Sequence, residues 1–384
     1  MSKLDELIQE LCPNGVERVA LSELLSYEQP GKYAVKSTEY RDEYQTPVLT
    51  AGQSFILGYT DEEGGIYPAS PENPVVIFDD FTTSFKWVDF PFKVKSSAMK
   101  LLTARSGKRH DLRFVYYAMQ TINYQPVEHA RQWIGIYSKF QIPLPPLEVQ
   151  EEIVRILDQF VELDRELEDE IAGREKQFQG VRDDLMREAT NRTVQLGDLG
   201  SFIRGNGLQK KDLKSSGFPA IHYGQIHTYY SHKADSTLSF VDTEKASSYK
   251  QAQPGDVILA TTSEDDEAVG KATAWIGSNP VAVSGDAFIY QHEFHPLFIS
   301  FWLGGSDFQY QKQKFISGAK VRRLSGQSLA KIVAPFPPPE DQEEIAAKLD
   351  TFTEYIDNLK RERELRQKQY EYYRDQLLDF KVKE

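Results

Sequence analysis

The chain has 384 residues, of which 40% are hydrophobic and 12% aromatic, and its formal net charge is −13. This length predicts two or three domains, each large enough to bury a core, and the aromatic content favours folded over disordered segments. The single cysteine, Cys12, excludes an internal disulfide and a cysteine-rich zinc module. The first residues lack the apolar core of a signal peptide, and no apolar run approaches the roughly 20 residues of a membrane span. We therefore expect a cytoplasmic protein.

Five segments follow one another along the chain. Residues 1–17 predict a short helix that stops at Cys-Pro-Asn-Gly. Residues 18–147 mix short strand-like runs with Gly and Pro turns, and residues 190–339 have the same character. Residues 148–189 and 340–384 each predict one long charged helix. The order is therefore globular, helical, globular, helical.

The boundary between globular and helical segments is repeated in sequence. Pro-Leu-Pro-Pro-Leu-Glu-Val-Gln-Glu-Glu-Ile at 143–153 recurs as Pro-Phe-Pro-Pro-Pro-Glu-Asp-Gln-Glu-Glu-Ile at 335–345. The offset of 192 residues holds without a gap along the helical run that follows. Such a repeat predicts a duplicated unit.

Apolar residues recur in steps of three and four along both helical runs, which is typical of a coiled-coil seam. Each run would form a rod of roughly 60 Å. Two equal rods with matching stripes should pack together, and an antiparallel arrangement would place one globular segment at each end. The predicted seam residues are Ile153, Leu157, Phe160, Leu167, Ile345, Leu349, Phe352 and Leu359.

The negative charge is concentrated in the two helical runs. Residues 148–188 carry a net charge of −8 and residues 340–384 a net charge of −4, whereas residues 189–339 are slightly positive. The globular segments therefore remain compatible with binding to DNA, despite the acidity of the whole chain.

The sequence contains none of the usual catalytic signatures of DNA-modifying or DNA-cleaving enzymes. It lacks the Asn/Asp-Pro-Pro-Tyr/Phe motif of amino-methyltransferases, a Gly-Lys-Ser/Thr phosphate loop, and the Glu-x-Lys of many nucleases. His292-Glu-Phe-His295 lacks the spacing of a zinc helix. His222, His227 and His232 lie at five-residue steps and predict surface or groove positions rather than ligands. We expect no catalytic residue and no metal site.

The globular segments instead carry basic, polar and aromatic side chains in turn-rich stretches. Arginine and lysine neutralise phosphates, and Arg, Gln and Asn can read base edges. Gln53 and Gln225 follow glycines at matching positions, and Thr-Thr-Ser recurs at 82–84 and 261–263. A short basic cluster also fits a solvated face, and Gln after Gly can simply close a turn. The candidate DNA contacts are Gln53, Thr82, Thr83, Ser84, Lys86, Lys108, Arg109, His110, Arg204, His222, Tyr223, Gln225, His227, Thr262, Ser263, Lys320, Arg322 and Arg323. The same basic set also contains Lys93, Lys95, Lys100, Arg105, Arg113, Lys210, Lys211 and Lys214.

The arrangement resembles the specificity subunit of type I restriction–modification systems over essentially the whole chain. The repeated Pro-Pro motif carries the resemblance, together with the opening Leu4–Gly15 and the stretch Asp79–Phe85. The resemblance implies an α+β fold: two globular mixed α/β target recognition domains (18–147 and 190–339), separated by two long antiparallel helices that form a coiled coil, with an internal pseudo-two-fold repeat.

The resemblance also implies a function and partners. Each domain would read one half of a bipartite site in double-stranded DNA, and the helices would set the spacer and dock two methylation subunits. Those subunits would bind S-adenosylmethionine, this chain would bind no cofactor, and restriction subunits would join the complex. Two alternatives stay open: a self-contained modification or cleavage enzyme, and a structural spacer that reads no sequence.

Overall fold

A computed structural model describes residues 2–52, 54–107, 110–127, 130–189 and 192–383. The chain divides into two compact units: the first comprises Met1–Glu166 and Arg363–Glu384, and the second Leu167–Glu362. Within the described ranges, no helix is long and apolar enough to cross a membrane.

The first unit consists of two sheets, a strand pair and helices. A four-stranded antiparallel sheet has the order β2-β8-β5-β6, and a three-stranded sheet has the order β4-β3-β7, in which β3 and β7 are parallel. The pair β1–β9 joins the start of the globular segment to its end. The elements are α1 (Lys3–Leu11), β1 (Glu17–Ala20), α2 (Leu21–Leu24), β2 (Leu25–Glu28), β3 (Thr46–Leu49), β4 (Ile56–Thr60), β5 (Val75–Asp79), β6 (Phe85–Val88), β7 (Lys93–Val94), β8 (Met99–Ala104), α3 (Leu112–Met119), β9 (Gln141–Leu144) and α4 (Leu147–Glu188), of which α4 continues into the second unit.

The second unit contains the remaining elements. They are β10 (Thr193–Gln195), β11 (Gly200–Arg204), β12 (Phe218–Ile221), α5 (Tyr223–Thr228), β13 (Lys233–Ala234), β14 (Ser239–Val241), β15 (Gln251–Ala252), β16 (Val257–Ala260), β17 (Thr262–Ser263), β18 (Lys271–Trp275), β19 (Val281–Val283), β20 (Ala287–His292), α6 (Pro296–Leu303), α7 (Ser306–Lys312), β21 (Arg322–Arg323), α8 (Gly326–Leu329), β22 (Val333–Pro335) and α9 (Pro339–Leu377), of which α9 returns to the first unit.

The two units repeat one topology. In the second, the sheet β11-β20-β16-β18-β13 repeats the antiparallel order of β2-β8-β5-β6 and adds β13. The sheet β14-β12-β19-β15 repeats β4-β3-β7, again with one parallel pair, β12–β19. The pair β10–β22 matches β1–β9. The predicted α+β class with an internal repeat is confirmed.

The repeated Pro-Pro motif has the same structural role in both units. The Gln150 side chain donates to the Pro145 carbonyl (2.7 Å) and accepts from the Asp111 backbone N–H (2.9 Å), at the start of α3. The Gln342 side chain donates to the Pro337 carbonyl (2.9 Å) and accepts from the His295 backbone N–H (2.8 Å), at the start of α6. Each glutamine therefore ties the long helix to its own globular segment.

Replacing Gln150 or Gln342 with alanine should lower the stability of the unit that contains it. Both side chains are buried, and their loss leaves a backbone carbonyl and an N–H unpaired, at a cost of about 1–3 kcal/mol each. Urea unfolding of the full chain measures this, with the exposed Gln159→Ala on the same helix as control. Equal unfolding curves for Gln150→Ala and Gln159→Ala would contradict this role.

The two long helices run antiparallel within each unit. In the first, Arg363 forms two 3.0 Å contacts with the Asp164 carboxylate, and Phe160 stacks on Tyr373 with ring centroids 5.7 Å apart. In the second, Lys360 Nζ lies 2.7 Å from Glu175 Oε1, and Phe178 packs on Phe352 at 5.7 Å. The predicted antiparallel pairing is confirmed.

The apolar stripe packs on the globular segments as well as across the helix pair. Ile153 and Leu157 lie in one core with residues of α1 and α3, and Ile345 and Leu349 lie in another with residues of α6. Leu359 is also buried, whereas Phe160, Leu167 and Phe352 are half-buried. The periodicity of the sequence correctly predicted that these positions face inward. It did not predict that they also pack against residues of the globular segments.

The N-terminal helix ends where the sequence predicts and the C-terminal helix does not. A Ser2–Asp5 capping box starts the first helix, and its backbone leaves the helix at Cys12, the first residue of the predicted Cys-Pro-Asn-Gly stop. The C-terminal helix ends at Leu377 rather than continuing to 384. Beyond it, Val16 N–H donates to the Lys381 carbonyl and Lys383 N–H to the Val16 carbonyl, both at 2.9 Å. This pairing holds the last described residues in an extended conformation.

Candidate nucleic-acid interface

Several candidate residues of the second unit meet around the Asp286 carboxylate. Arg204 ends β11, and its Nε donates to the Gly285 carbonyl (2.9 Å) while Nη2 lies 3.8 Å from Asp286 Oδ1. Thr262 Oγ1 donates to the same carboxylate oxygen over 3.4 Å. His227 Nε2 lies 3.0 Å from the Thr262 carbonyl. The sequence placed these residues in separate stretches, and the strand order of the large sheet brings them together.

His222 and Tyr223 form the opposite wall of an open groove. His222 precedes α5, and its Nδ1 accepts from the Gly224 N–H at 3.2 Å. Tyr223 packs against the imidazoles of His222 and His227, with ring centroids 4.6 and 6.2 Å apart. Burial lowers the pKa of His222, which leaves it a neutral donor or acceptor. The groove has a volume of about 540 Å³, and its lining includes Arg204, Lys210, His222, Tyr223 and Asp286.

The basic hairpin at 317–323 borders the same residues, because β21 pairs with β17 and sets Thr262 opposite Arg323 and Ser263 opposite Arg322. Arg322 is held by Asp266 (Nε to Oδ1, 2.8 Å) and by the Gly318 carbonyl (2.7 Å). Arg323 and Lys320 are exposed. Along this hairpin, Arg322 is therefore held by an ion pair, whereas Lys320 and Arg323 are exposed to solvent.

Gln225 has an internal role rather than a free recognition edge. Its Oε1 accepts from the His222 N–H (3.0 Å), and its Nε2 donates to Ser239 Oγ (2.7 Å). A base could be read by this amide only after both bonds break. The structure therefore favours the turn-closing interpretation at this position.

The Thr-Thr-Ser stretch of the first unit forms a tight turn between β5 and β6. Asp79 Oδ1 accepts from the N–H groups of Phe81 and Thr82 at 2.9 and 2.8 Å. Thr83 has φ of 60° and is buried, and its hydroxyl donates to the Thr82 carbonyl at 2.7 Å, so its side chain belongs to the turn rather than to the surface. Thr82 is exposed, and its hydroxyl lies 2.7 Å from that of Ser84. Only two of the three hydroxyls face the surface.

Three basic residues of the first unit are occupied inside it, which corrects their assignment to the DNA-facing set. Lys93 is buried beside Glu62 (3.1 Å), and Lys100 is buried beside Asp80 (3.0 Å). Arg113 donates to Asp158 at 2.8 Å and lies over the Trp87 ring, 4.6 Å from its centroid. The residue types alone could not show that these three side chains are paired inside the unit.

The remaining candidates of the first unit are dispersed. Lys86 lies on β6 opposite Ile77 and is half-buried, as is His110, which precedes the start of α3. Gln53, Lys108 and Arg109 lie outside the described residues. The sequence prediction did not include the acidic residues Asp266 and Asp286, because it rested on cationic, amide, hydroxyl and imidazole side chains.

Two half-buried histidines, His232 and His292, make the second unit sensitive to pH. Burial lowers the pKa of both His232 and His292 to about 4 from 6.5. The unfolded chain therefore binds protons more readily than the folded one, so stability is full above pH 6.5 and falls as the pH drops towards 4.

Between pH 7.5 and 5 each histidine should cost about 1–2 kcal/mol of unfolding free energy. Urea unfolding at the two pH values measures the loss, and His232→Gln together with His292→Gln should flatten it. An unchanged pH dependence in the double variant would contradict the assignment.

The model of the family described as type I restriction modification DNA specificity domain matches residues 13–172 and 189–367. The chain is 38% identical, over 99% of its length and 97% of the relative's, to the specificity subunit of the type I restriction enzymes EcoR124I/EcoR124II of Escherichia coli. Its fold matches the crystal structure of a type I restriction–modification S subunit from M. genitalium, with a TM-score of 0.53, 15% identity and coverage of 94% of each chain. A chain solved in work on assembly and conformational transition of the type I R-M system matches with a TM-score of 0.52, 17% identity and coverage of 93% of this chain and 97% of that one.

Proposed function

The chain belongs to the DNA specificity subunits of type I restriction–modification systems, and we propose that each of its two units reads one half of a bipartite DNA site. The observation that carries this proposal is the duplicated topology. Two sheets with a shared strand order, and a strand pair that joins the start of the globular segment to its end, occur in each unit, with one more strand in each sheet of the second. The side chains on these strands differ between the units. Two similar scaffolds with different surfaces suit two different half-sites.

The groove of the second unit has the chemistry for such reading. Arg204 in the groove and Arg323 on the bordering hairpin offer guanidinium donors to phosphates or guanine edges, and Asp286 can accept from a cytosine amino group. Tyr223 offers a ring face beside these polar groups. Mixed donors and acceptors favour sequence reading over purely electrostatic binding, which would need cations alone.

The long helices are proposed to set the spacer and to dock two methylation subunits, which restriction subunits join. Support comes from their surface: outside the stripe, α4 and α9 are mostly exposed and charged, and on the first unit's part of α9 the apolar side chains of Leu365 and Tyr372 are 60% and 62% exposed. Exposed apolar side chains on a helix face are typical of a protein contact. S-adenosylmethionine would be bound by the methylation subunits.

The chain itself is proposed to be non-catalytic. Support comes from the sequence, which lacks the catalytic motifs of amino-methyltransferases, phosphate-loop enzymes and many nucleases. Incubating the purified chain with DNA, magnesium and S-adenosylmethionine should yield neither methylation nor cleavage. Turnover that co-purifies with this chain alone would overturn the assignment.

Selection from a pool of randomised duplexes tests the proposed function. The full chain with its methylation subunits should enrich two short motifs separated by an unspecified spacer of fixed length. A flat result would support the alternative of a structural spacer that reads no sequence, and a single contiguous motif would contradict division of the site between two units.

A further inference from the structure

We infer that Arg131 of the first unit is the counterpart of Arg323 of the second, and that each arginine contacts DNA in the half-site of its own unit. This inference rests on the proposed function and adds a residue that composition and clustering did not single out. Three observations support it: the two arginines occupy equivalent positions in the repeated fold, both side chains are exposed, and the backbone next to each arginine is held by the same hydrogen bond.

Sequence and backbone geometry give the same register. The offset of 192 residues that relates the Pro-Pro motifs also relates Arg131 to Arg323 and Gln132 to Leu324. In the first unit the Gln132 N–H donates to the Asp80 carbonyl at 2.8 Å, and in the second the Leu324 N–H donates to the Thr261 carbonyl at 3.1 Å.

Those two acceptors are themselves equivalent. Asp80 directly follows β5 and Thr261 directly follows β16, and both strands lie next to the same neighbours in the repeated sheet. One backbone hydrogen bond is thus conserved between units whose sequences differ, and it places each arginine one residue before the same anchor.

The two guanidinium groups are available to a ligand. Both side chains are exposed, and within the described part of the chain neither has an ion-pair partner, whereas Arg113 is held by Asp158 and Arg322 by Asp266. Successive strand residues point to opposite faces. Arg323 therefore faces away from the Arg322–Asp266 pair.

Hydrogen bonds of the neighbouring residues hold the backbone next to Arg131 in place. The Gln132 side chain is buried, donates to the Ala130 carbonyl (2.8 Å) and accepts from the Tyr124 hydroxyl (2.7 Å). The Trp133 N–H donates to Asp80 Oδ1 at 2.9 Å. Because the backbone beside Arg131 is already fixed, only its side chain has to be ordered on binding, which favours it as a contact residue.

The neighbouring groups agree with a DNA contact. Asp80 leads into the turn that exposes the Thr82 and Ser84 hydroxyls, and Thr261 leads into Thr262 and Ser263. In each unit the arginine is therefore anchored beside a short run of hydroxyl side chains, which can donate to phosphates.

Hydroxyl-radical footprinting of the full chain with its methylation subunits tests the inference on the selected bipartite duplex. Arg131→Ala should weaken protection in one half-site and Arg323→Ala in the other, with DNA affinity falling about tenfold for each. Arg131→Gln should behave as Arg131→Ala does, because the charge is lost while the side-chain volume is largely kept. Arg18→Ala, which replaces an exposed arginine of β1, should leave both footprints unchanged.

Unchanged protection and affinity in Arg131→Ala and Arg131→Gln, with unaltered melting, would overturn the inference alone. Equal loss at both half-sites would also overturn it. Failure of the wild-type complex to protect two separate half-sites would overturn the proposed function instead.

Discussion

Replacing Lys100 with methionine should lower the free energy of unfolding of the first unit by about 3–5 kcal/mol. Lys100 and Asp80 form an ion pair at 3.0 Å, and their side chains are only 1% and 2% exposed. Removing the ammonium group leaves a buried carboxylate without its counter-charge. Asp80 also accepts the Gln132 and Trp133 N–H groups, so the loss should loosen the support of Arg131 and weaken protection in one half-site.

The double variant Lys100→Met with Asp80→Asn provides the matched control. An asparagine can still accept from the Trp133 N–H, and no unpaired charge remains, so most of the lost stability should return. Urea unfolding of the full chain measures both variants. If Lys100→Met unfolds as the wild type does, or if the double variant is no more stable than Lys100→Met, the ion pair is not the cause.

Lengthening both long helices together should lengthen the DNA spacer and leave the half-sites unchanged. Three heptads inserted after Glu166 and three after Glu362 add about 32 Å to each helix, at 1.5 Å per residue. Whole heptads keep the apolar stripe in phase. The added length is close to one turn of B-DNA, about 34 Å. A spacer longer by one turn would present both half-sites on nearly the same side of the duplex as before.

Selection with this variant should therefore yield the original two motifs with a spacer longer by about one helical turn. Inserting the heptads in α4 alone is the control and should lower stability, because the pairs Asp164–Arg363 and Glu175–Lys360 can then no longer both stay in register. An unchanged spacer in the double-insertion variant would contradict the proposal that the helices set the separation.

The parts of the fold that sequence predicted best are those specified locally. The periodicity of α4 and α9 indicates long helices on its own, and the repeated Pro-Pro motif marks where each begins. The role of Gln150 and Gln342 was hidden because their partners, Asp111 and His295, lie about 40 residues or more away in sequence. The sheet order was hidden for the same reason, since strands such as β11 and β20 pair across long separations.

The candidate interface was predicted in part. Residue chemistry identified Arg204, His222, Tyr223, His227 and Thr262, which do meet in one unit. It could not separate a surface lysine from Lys100, because burial with a carboxylate depends on tertiary packing. Residue chemistry also did not identify Arg131, although the repeat with an offset of 192 residues aligns Arg131 with Arg323.

The central claim, one unit for one half-site, is tested most directly by exchanging one globular segment. Residues 18–147 would be replaced by the aligned segment of the Escherichia coli relative, and selection would be run on the chimera and both parents with methylation subunits. The chimera should enrich one half-site of each parent and keep the wild-type second half-site. A change in both half-sites, or in neither, would contradict the account.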